Sequence, residues 1–212
     1  MPFDFLKRRK GSDPAAAATT PSAAAQGVPF EGLTEDWRLV GRMLIDGRIS
    51  DALNKRDPID IVDVLWAPVD GSAALAPAPG LRNVDPYDLV LVLAGDTLAD
   101  MTEEERTAHR VHKVSYEVAL EVPPYRVIGT VLLYPGSEPD SLLSRSSEMF
   151  VPIVDATATM GDRPVSAEQA SAILVNRAYL RGVEQIDMRT GERHKKLPGG
   201  SMGGVNWTDR TR

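Results

Sequence analysis

The sequence predicts a mainly β fold of the α+β type: two tandem, small β-barrel-like repeats of SH3 or Sm type, packed as a pseudo-dimer, with short helices and flexible termini. Three observations predict it. Residues 114–122 alternate, with Val114, Tyr116, Val118, Leu120 and Val122 on one face and Ser115, Glu117, Ala119 and Glu121 on the other, as a half-buried strand does. A run of aromatic, arginine, two aliphatics and glycine occurs twice, at Trp37-Arg38-Leu39-Val40-Gly41 and at Tyr125-Arg126-Val127-Ile128-Gly129. Both ends of the 212-residue chain differ in composition from its middle.

The first ten residues form a basic amphipathic tip. Phe3, Phe5 and Leu6 precede Lys7, Arg8, Arg9 and Lys10. Apolar anchors beside a cationic cluster suit an anionic membrane surface or a groove on an acidic partner. Each basic residue near such a membrane adds about 1 kcal/mol, which is weak for one copy and useful in a homo-oligomer through avidity. Residues 11–32 follow as an Ala/Pro linker with no periodicity that could build a core.

The first β repeat is assigned to residues 33–100. After the glycine strand come the Asp46-Gly47 turn, a short helical piece at Ser50–Arg56, a strand at Ile59–Val64, and Leu81-Arg82-Asn83 with Tyr87. Leu89–Leu93 is an apolar run that suits a buried strand. A linking helix at 101–111 opens on Thr102 with Glu105 three residues later, a capping box with an acidic first turn.

The second repeat, 112–187, follows the same plan. The Pro123-Pro124 pair interrupts the ladder and marks an edge or bend. The Pro135-Gly136 turn, a helical piece at Asp140–Arg145, the strand Phe150–Ala156, and Leu174-Val175-Asn176 with Tyr179 then answer the first copy in order. Domains of about 70 residues bury little surface alone, so two copies gain by packing together. Residues 188–212 form a basic flexible tail, with a Gly-rich tether at 197–204 and Trp207 near its end. A tryptophan in a solvated tail suits docking on a partner or on the body, because disordered segments are poor in aromatics.

In the glycine strand, the PG turn, FVPIVDA and ILVNRAYL, both copies resemble small β domains found in bacterial proteins of unknown function. The resemblance implies a fold type and carries over no functional residues.

Composition excludes several chemistries. With no cysteine there is no disulfide, thiolate zinc site or cysteine nucleophile. No GxGxxG, GxxxxGK[ST] or G-x-S-x-G pattern is present. His109 and His112 have a three-residue spacing that could share a helix face, but the helix is expected to end there, where a histidine stabilises the dipole without a metal. His194 lies in the basic tail. Asp60 and Asp63 have opposite parity on a regular strand, and Asp63 and Asp155 hold the same place in the two copies, which points to a turn or a hydrogen-bonding role at a strand end. No catalytic, cofactor-binding or metal residue is therefore assigned, and no cofactor is expected.

The net charge of −6 is concentrated in the body, since both tips are basic. An acidic body argues against nucleic acid as the main ligand. The expected function is a non-catalytic adaptor or scaffold, cytoplasmic or peripheral to a membrane, binding a protein partner through its paired β domains. Phe3, Phe5, Leu6, Lys7, Arg8, Arg9, Lys10 and Trp207 are its candidate docking residues. The competing readings are an Sm-like nucleic-acid binder and a small-ligand sensor whose inter-repeat groove is lined by Asn83, Asn176, Arg177 and Arg181.

Overall fold

Apolar residues at every second position put about half of the described residues in strands. The computed structural model describes residues 27–94, 113–144, 148–165 and 170–193. The N-terminal half contains β1 (Val28–Leu33), β2 (Trp37–Met43), helix α1 (Ile49–Lys55), β3 (Ile59–Pro68), β4 (Ala76–Pro77), β5 (Asn83–Val84) and β6 (Leu91–Ala94). The C-terminal half contains β7 (Val114–Val122), β8 (Tyr125–Leu133), β9 (Phe150–Met160), β10 (Arg163–Pro164), β11 (Ala170–Asn176) and β12 (Gly182–Gln185). Short 3-10 turns at Pro86–Asp88 and Arg177–Tyr179 precede β6 and β12, and a third occupies Pro139–Leu143. The basic tip 1–10, the linking helix expected at 101–111, His109, His112, His194 and Trp207 lie outside the described residues.

All pairings are antiparallel, and they join both halves into one sheet in the order β12-β7-β8-β9-β11-β6-β1-β2-β3-β4, with β10 beside β9 and β5 beside β3. The expectation of two barrels packed face to face is thereby corrected. Neither half closes on itself, because β6 turns the edge not used by β1 toward β11. The linker boundary is corrected as well: residues 28–32 belong to β1, which pairs with both β2 and β6. Phe30 and Leu33 are buried there, so this segment is core despite following an Ala/Pro stretch.

The β6–β11 junction explains where the cores sit. Leu91 pairs with Val175 and Val92 with Leu174. Successive strand residues point to opposite faces. Leu91, Ile173 and Val175 accordingly enter a core with Val118, Val127, Ile153 and other C-terminal residues. Val92 and Leu174 enter a core with Met43, Leu53, Ile61 and other N-terminal residues. Each core also borrows from the opposite half: Leu33 and Val90 in the first, Met149 and Phe150 in the second.

The alternation read at 114–122 is observed in β7 from Tyr116 to Val122, with Ala119 buried as well, whereas Val114, expected on the apolar face, is exposed. Helix α1 buries Ile49 and Leu53, four residues apart, and places Asp51 in its first turn and Lys55 in its last, as the helix dipole favours. Pro123-Pro124 forms the two-residue turn of the β7–β8 hairpin, where Val122 faces Tyr125 and no ladder hydrogen bond is needed from either proline.

The β2–β3 and β8–β9 ladders share one irregularity. The first shifts register between Val40 and Arg42, the second between Ile128 and Thr130. At the shift, Asp63 has φ 54° and Asp155 φ 50°. Both aspartates therefore serve as left-handed bulge residues in mid-strand, not at strand ends as expected. Aspartate tolerates this conformation better than most residues. A Cβ on the facing Gly129 would lie 2.7 Å from Ile153 Cγ2 and 2.9 Å from Ala156 Cβ, so glycine is needed for the strands to approach.

Candidate interaction surface

Strand pairing brings two tryptophans together at the open end of the N-terminal core. Trp37 faces Pro68 and Trp66 faces Leu39, which makes the two indoles diagonal neighbours across β2 and β3. Their ring centroids are 4.7 Å apart with an interplanar angle of 18°. Leu39 and Val64 are buried on the same strands. The tryptophans remain 39% and 41% exposed, an unusual position for side chains that could bury more area than any other.

The β1–β2 turn fixes this pair. Thr34 Oγ1 accepts from the Trp37 backbone N–H at 2.9 Å and from that of Asp36 at 3.2 Å, a side-chain-closed turn. Glu35 and Asp36 sit in that turn and give the neighbourhood an acidic rim. Their charge is felt across the half-to-half boundary. The Tyr125 phenol is held above its ordinary range first by burial and then by Asp36, with a smaller contribution from Glu35. Tyr179 is raised by burial, then by Glu35 and Asp88.

A cavity of about 310 Å³ lies between the halves, lined by Leu33, Arg38, Ala67, Leu75, Arg163 and Val165 among others. Arg163 donates to the backbone carbonyls of Val69 and Asp70. Asp70 is itself held below the usual carboxylate range by hydrogen bonds from Ser72. The cavity therefore has apolar walls and an arginine whose guanidinium is already engaged with backbone.

The four residues expected to line an inter-repeat groove do not line this cavity. Asn176 is fully buried and serves as a cap: its Nδ2 donates to Leu89 O at 2.7 Å and Pro86 O at 3.3 Å, and its Oδ1 accepts from Ala178 N at 3.0 Å. Arg177 donates from Nε to Leu142 O at 2.9 Å and from Nη2 to Ser141 O at 2.9 Å, holding the 3-10 turn before β9; burial lowers its pKa. Asn83 and Arg181 are exposed. Asn54, on α1, takes a comparable bridging role, accepting from Met149 N at 2.7 Å and Phe150 N at 2.8 Å. Sequence reasoning missed Asn54, Arg163 and the Trp37–Trp66 pair. The register of β2 against β3 would have found the pair.

The docking residues expected in the tips, Phe3, Phe5, Leu6, Lys7, Arg8, Arg9, Lys10 and Trp207, lie outside the described residues. Among the described residues, no group of three His, Asp or Glu side chains converges to hold a metal ion, and no helix is long and apolar enough to cross a membrane. Comparison with protein-family models, with curated proteins and with solved structures finds no match.

Proposed function

We propose that this chain is a non-catalytic adaptor built from two tandem copies of one small β unit, and that it contacts a protein partner through Trp37 and Trp66. The exposed, stacked indole pair carries the reading. Tryptophans are enriched at binding hot spots, where one large rigid surface is desolvated at low entropic cost. The acidic rim of Glu35 and Asp36 favours a partner segment that brings Lys or Arg to the indole faces. The basic tips would tether the adaptor to a second partner or to an anionic membrane.

Agreement of register supports the two-copy part. Phe30↔Gly41 in β1–β2 answers Val118↔Gly129 in β7–β8. Leu33↔Leu91 in β1–β6 answers Glu121↔Gly182 in β7–β12. Ile59↔Val84 in β3–β5 answers Val151↔Val175 in β9–β11. In this register Asn176 answers Asp85, and not Asn83 as the sequence match has it: both cap the 3-10 turns alike, accepting from the backbone N–H of Tyr87 and of Ala178.

The test is affinity capture by the full chain beside the Trp37→Ala/Trp66→Ala form, with melting temperatures measured for both. The reading predicts a protein retained by the wild type and lost by the double variant at similar stability. Identical captured sets would contradict it. A second reading, a small apolar ligand in the 310 Å³ cavity, is favoured by the apolar walls of Leu33, Ala67, Leu75 and Val165. A ligand-dependent rise in melting temperature that survives the tryptophan changes would support that alternative.

A further inference from the structure

The junction between the halves uses one edge from each: the outer edge of β6 and the outer edge of β11. Register places β12 where β6 stands and β5 where β11 stands, as the paired positions above show. The corresponding outer edges of β12 and β5 belong to opposite ends of the same chain. We infer that copies of this chain join head to tail, with the β12 edge of one pairing antiparallel with the β5 edge of the next, repeating between molecules the contact made within each. The inference rests on the two-copy reading.

Three observations carry it. Ile186 N donates to Glu117 O, toward β7, and Asp187 N donates to Glu192 O, away from it; alternation then turns the peptide groups of Val183 and Gln185 outward. On the other strand, Ile61 N donates to Arg82 O, so Arg82 faces β3 and the peptide group of Asn83 points outward, while Leu81 N is taken by Ala78 O. The internal junction then dictates the register. Val92↔Leu174 and Leu93↔Ile173 translate to Val183↔Asn83 and Glu184↔Arg82. That register sets a carboxylate opposite a guanidinium. Glu184 lies 3.0 Å from Arg193 and 4.0 Å from Arg126, so Arg82 would join a carboxylate that already has two cationic neighbours.

Among the described residues the outer side of β12 is bridged at Ile186, by Arg193, and Val183 to Gln185 pair with no strand there; an open strand edge is a template for another strand. Because the two edges differ, the contact is heterologous; it closes into a ring or continues as a filament according to the rotation between copies. The occupant is a second copy and not an unrelated peptide, because one register satisfies the ladder at both ends and pairs opposite charges.

Light scattering on the full chain across a wide concentration range tests this directly. The expected result is mass rising with concentration in multiples of the 23.0 kDa chain. Val183→Pro and Asn83→Pro each remove one outward N–H, on opposite edges. Each variant alone should stay monomeric, while an equimolar mixture keeps one intact β12 edge and one intact β5 edge and should form a dimer and nothing larger. Should a proline variant fail to fold, amide exchange in the wild type decides: the Val183 and Asn83 amides should exchange several-fold more slowly at high concentration. A wild type that stays monomeric throughout overturns the inference, including the case in which residues 194–212 of the same chain hold the β12 edge. Assembly that both proline variants leave intact overturns it too. Failure of the two-copy reading would show separately, as halves that do not superimpose in an experimental structure.

Discussion

The side-chain amide nitrogen of Asn176, at the end of β11, lies 2.7 Å from the carbonyl oxygen of Leu89, just before β6. It is the one buried polar residue among the described residues, and all its named partners are backbone. It ties the turn of the C-terminal half to the turn of the N-terminal half where one sheet passes between them. Asn176→Leu strands two carbonyls and the Ala178 N–H in a water-free place. A loss of about 3 kcal/mol in urea unfolding is expected.

The bulges predict an asymmetry between two glycines. A Cβ at Gly129 would meet Ile153 and Ala156 at under 3.0 Å, whereas at Gly41 the nearest atom is Val62 O at 3.0 Å. Gly129→Ala should cost about 3 kcal/mol and Gly41→Ala about 1 kcal/mol, read as shifts in the midpoint of chemical unfolding.

At Asp63, with φ 54°, Asp63→Val should destabilise by about 1–2 kcal/mol, because a branched Cβ clashes in the left-handed region. Asp63→Gly should remain within about 0.5 kcal/mol of the wild type. Thermal unfolding of the pair checks both. Equal losses for Val and Gly would show that the carboxylate, not the backbone, matters there.

Tyr125 donates its hydroxyl proton to the Thr34 carbonyl, and burial holds its phenol above the ordinary value of 10.0. The folded state therefore keeps the proton more tightly than the unfolded state. The stability this contributes is whole below pH 10.0 and is lost as pH rises from there toward the higher folded value. Tyr125→Phe should lower stability by about 1 kcal/mol at neutral pH and flatten the alkaline decline. Ultraviolet titration should show one phenol that ionises only with unfolding.

Much of the strand content was legible in the sequence because burial on one face leaves a period of two, as in β7, and because Gly41 and Gly129 sit in matching contexts. The short helix expected at Ser50–Arg56 is found at Ile49–Lys55, its buried Ile49 and Leu53 set four residues apart at the helical and not the strand spacing. The path of the sheet was not. That β6 pairs with β11 depends on which edges meet in space, and the apolar run Leu89–Leu93 reads the same whether its strand is buried within one barrel or between two halves. Residues 28–32 were hidden by the neighbouring Ala/Pro stretch, although Phe30 and Leu33 carry the apolar positions of a strand. The bulges were unreadable for another reason. Asp63 and Asp155 break the alternation, and an aspartate in a strand suggests a strand end until the backbone shows a left-handed residue within it. The Trp37–Trp66 pair needed the register of β2 on β3, which no local pattern specifies.

The two halves share their cores, since Leu33 and Val90 fill one and Met149 and Phe150 the other. They should therefore fold as a single body. Differential scanning calorimetry of the full chain tests this most directly. One transition, with calorimetric and van't Hoff enthalpies equal, is the predicted result. Two resolved transitions, or a calorimetric enthalpy about twice the van't Hoff value, would show halves that melt independently and would contradict a sheet continuous through β6 and β11.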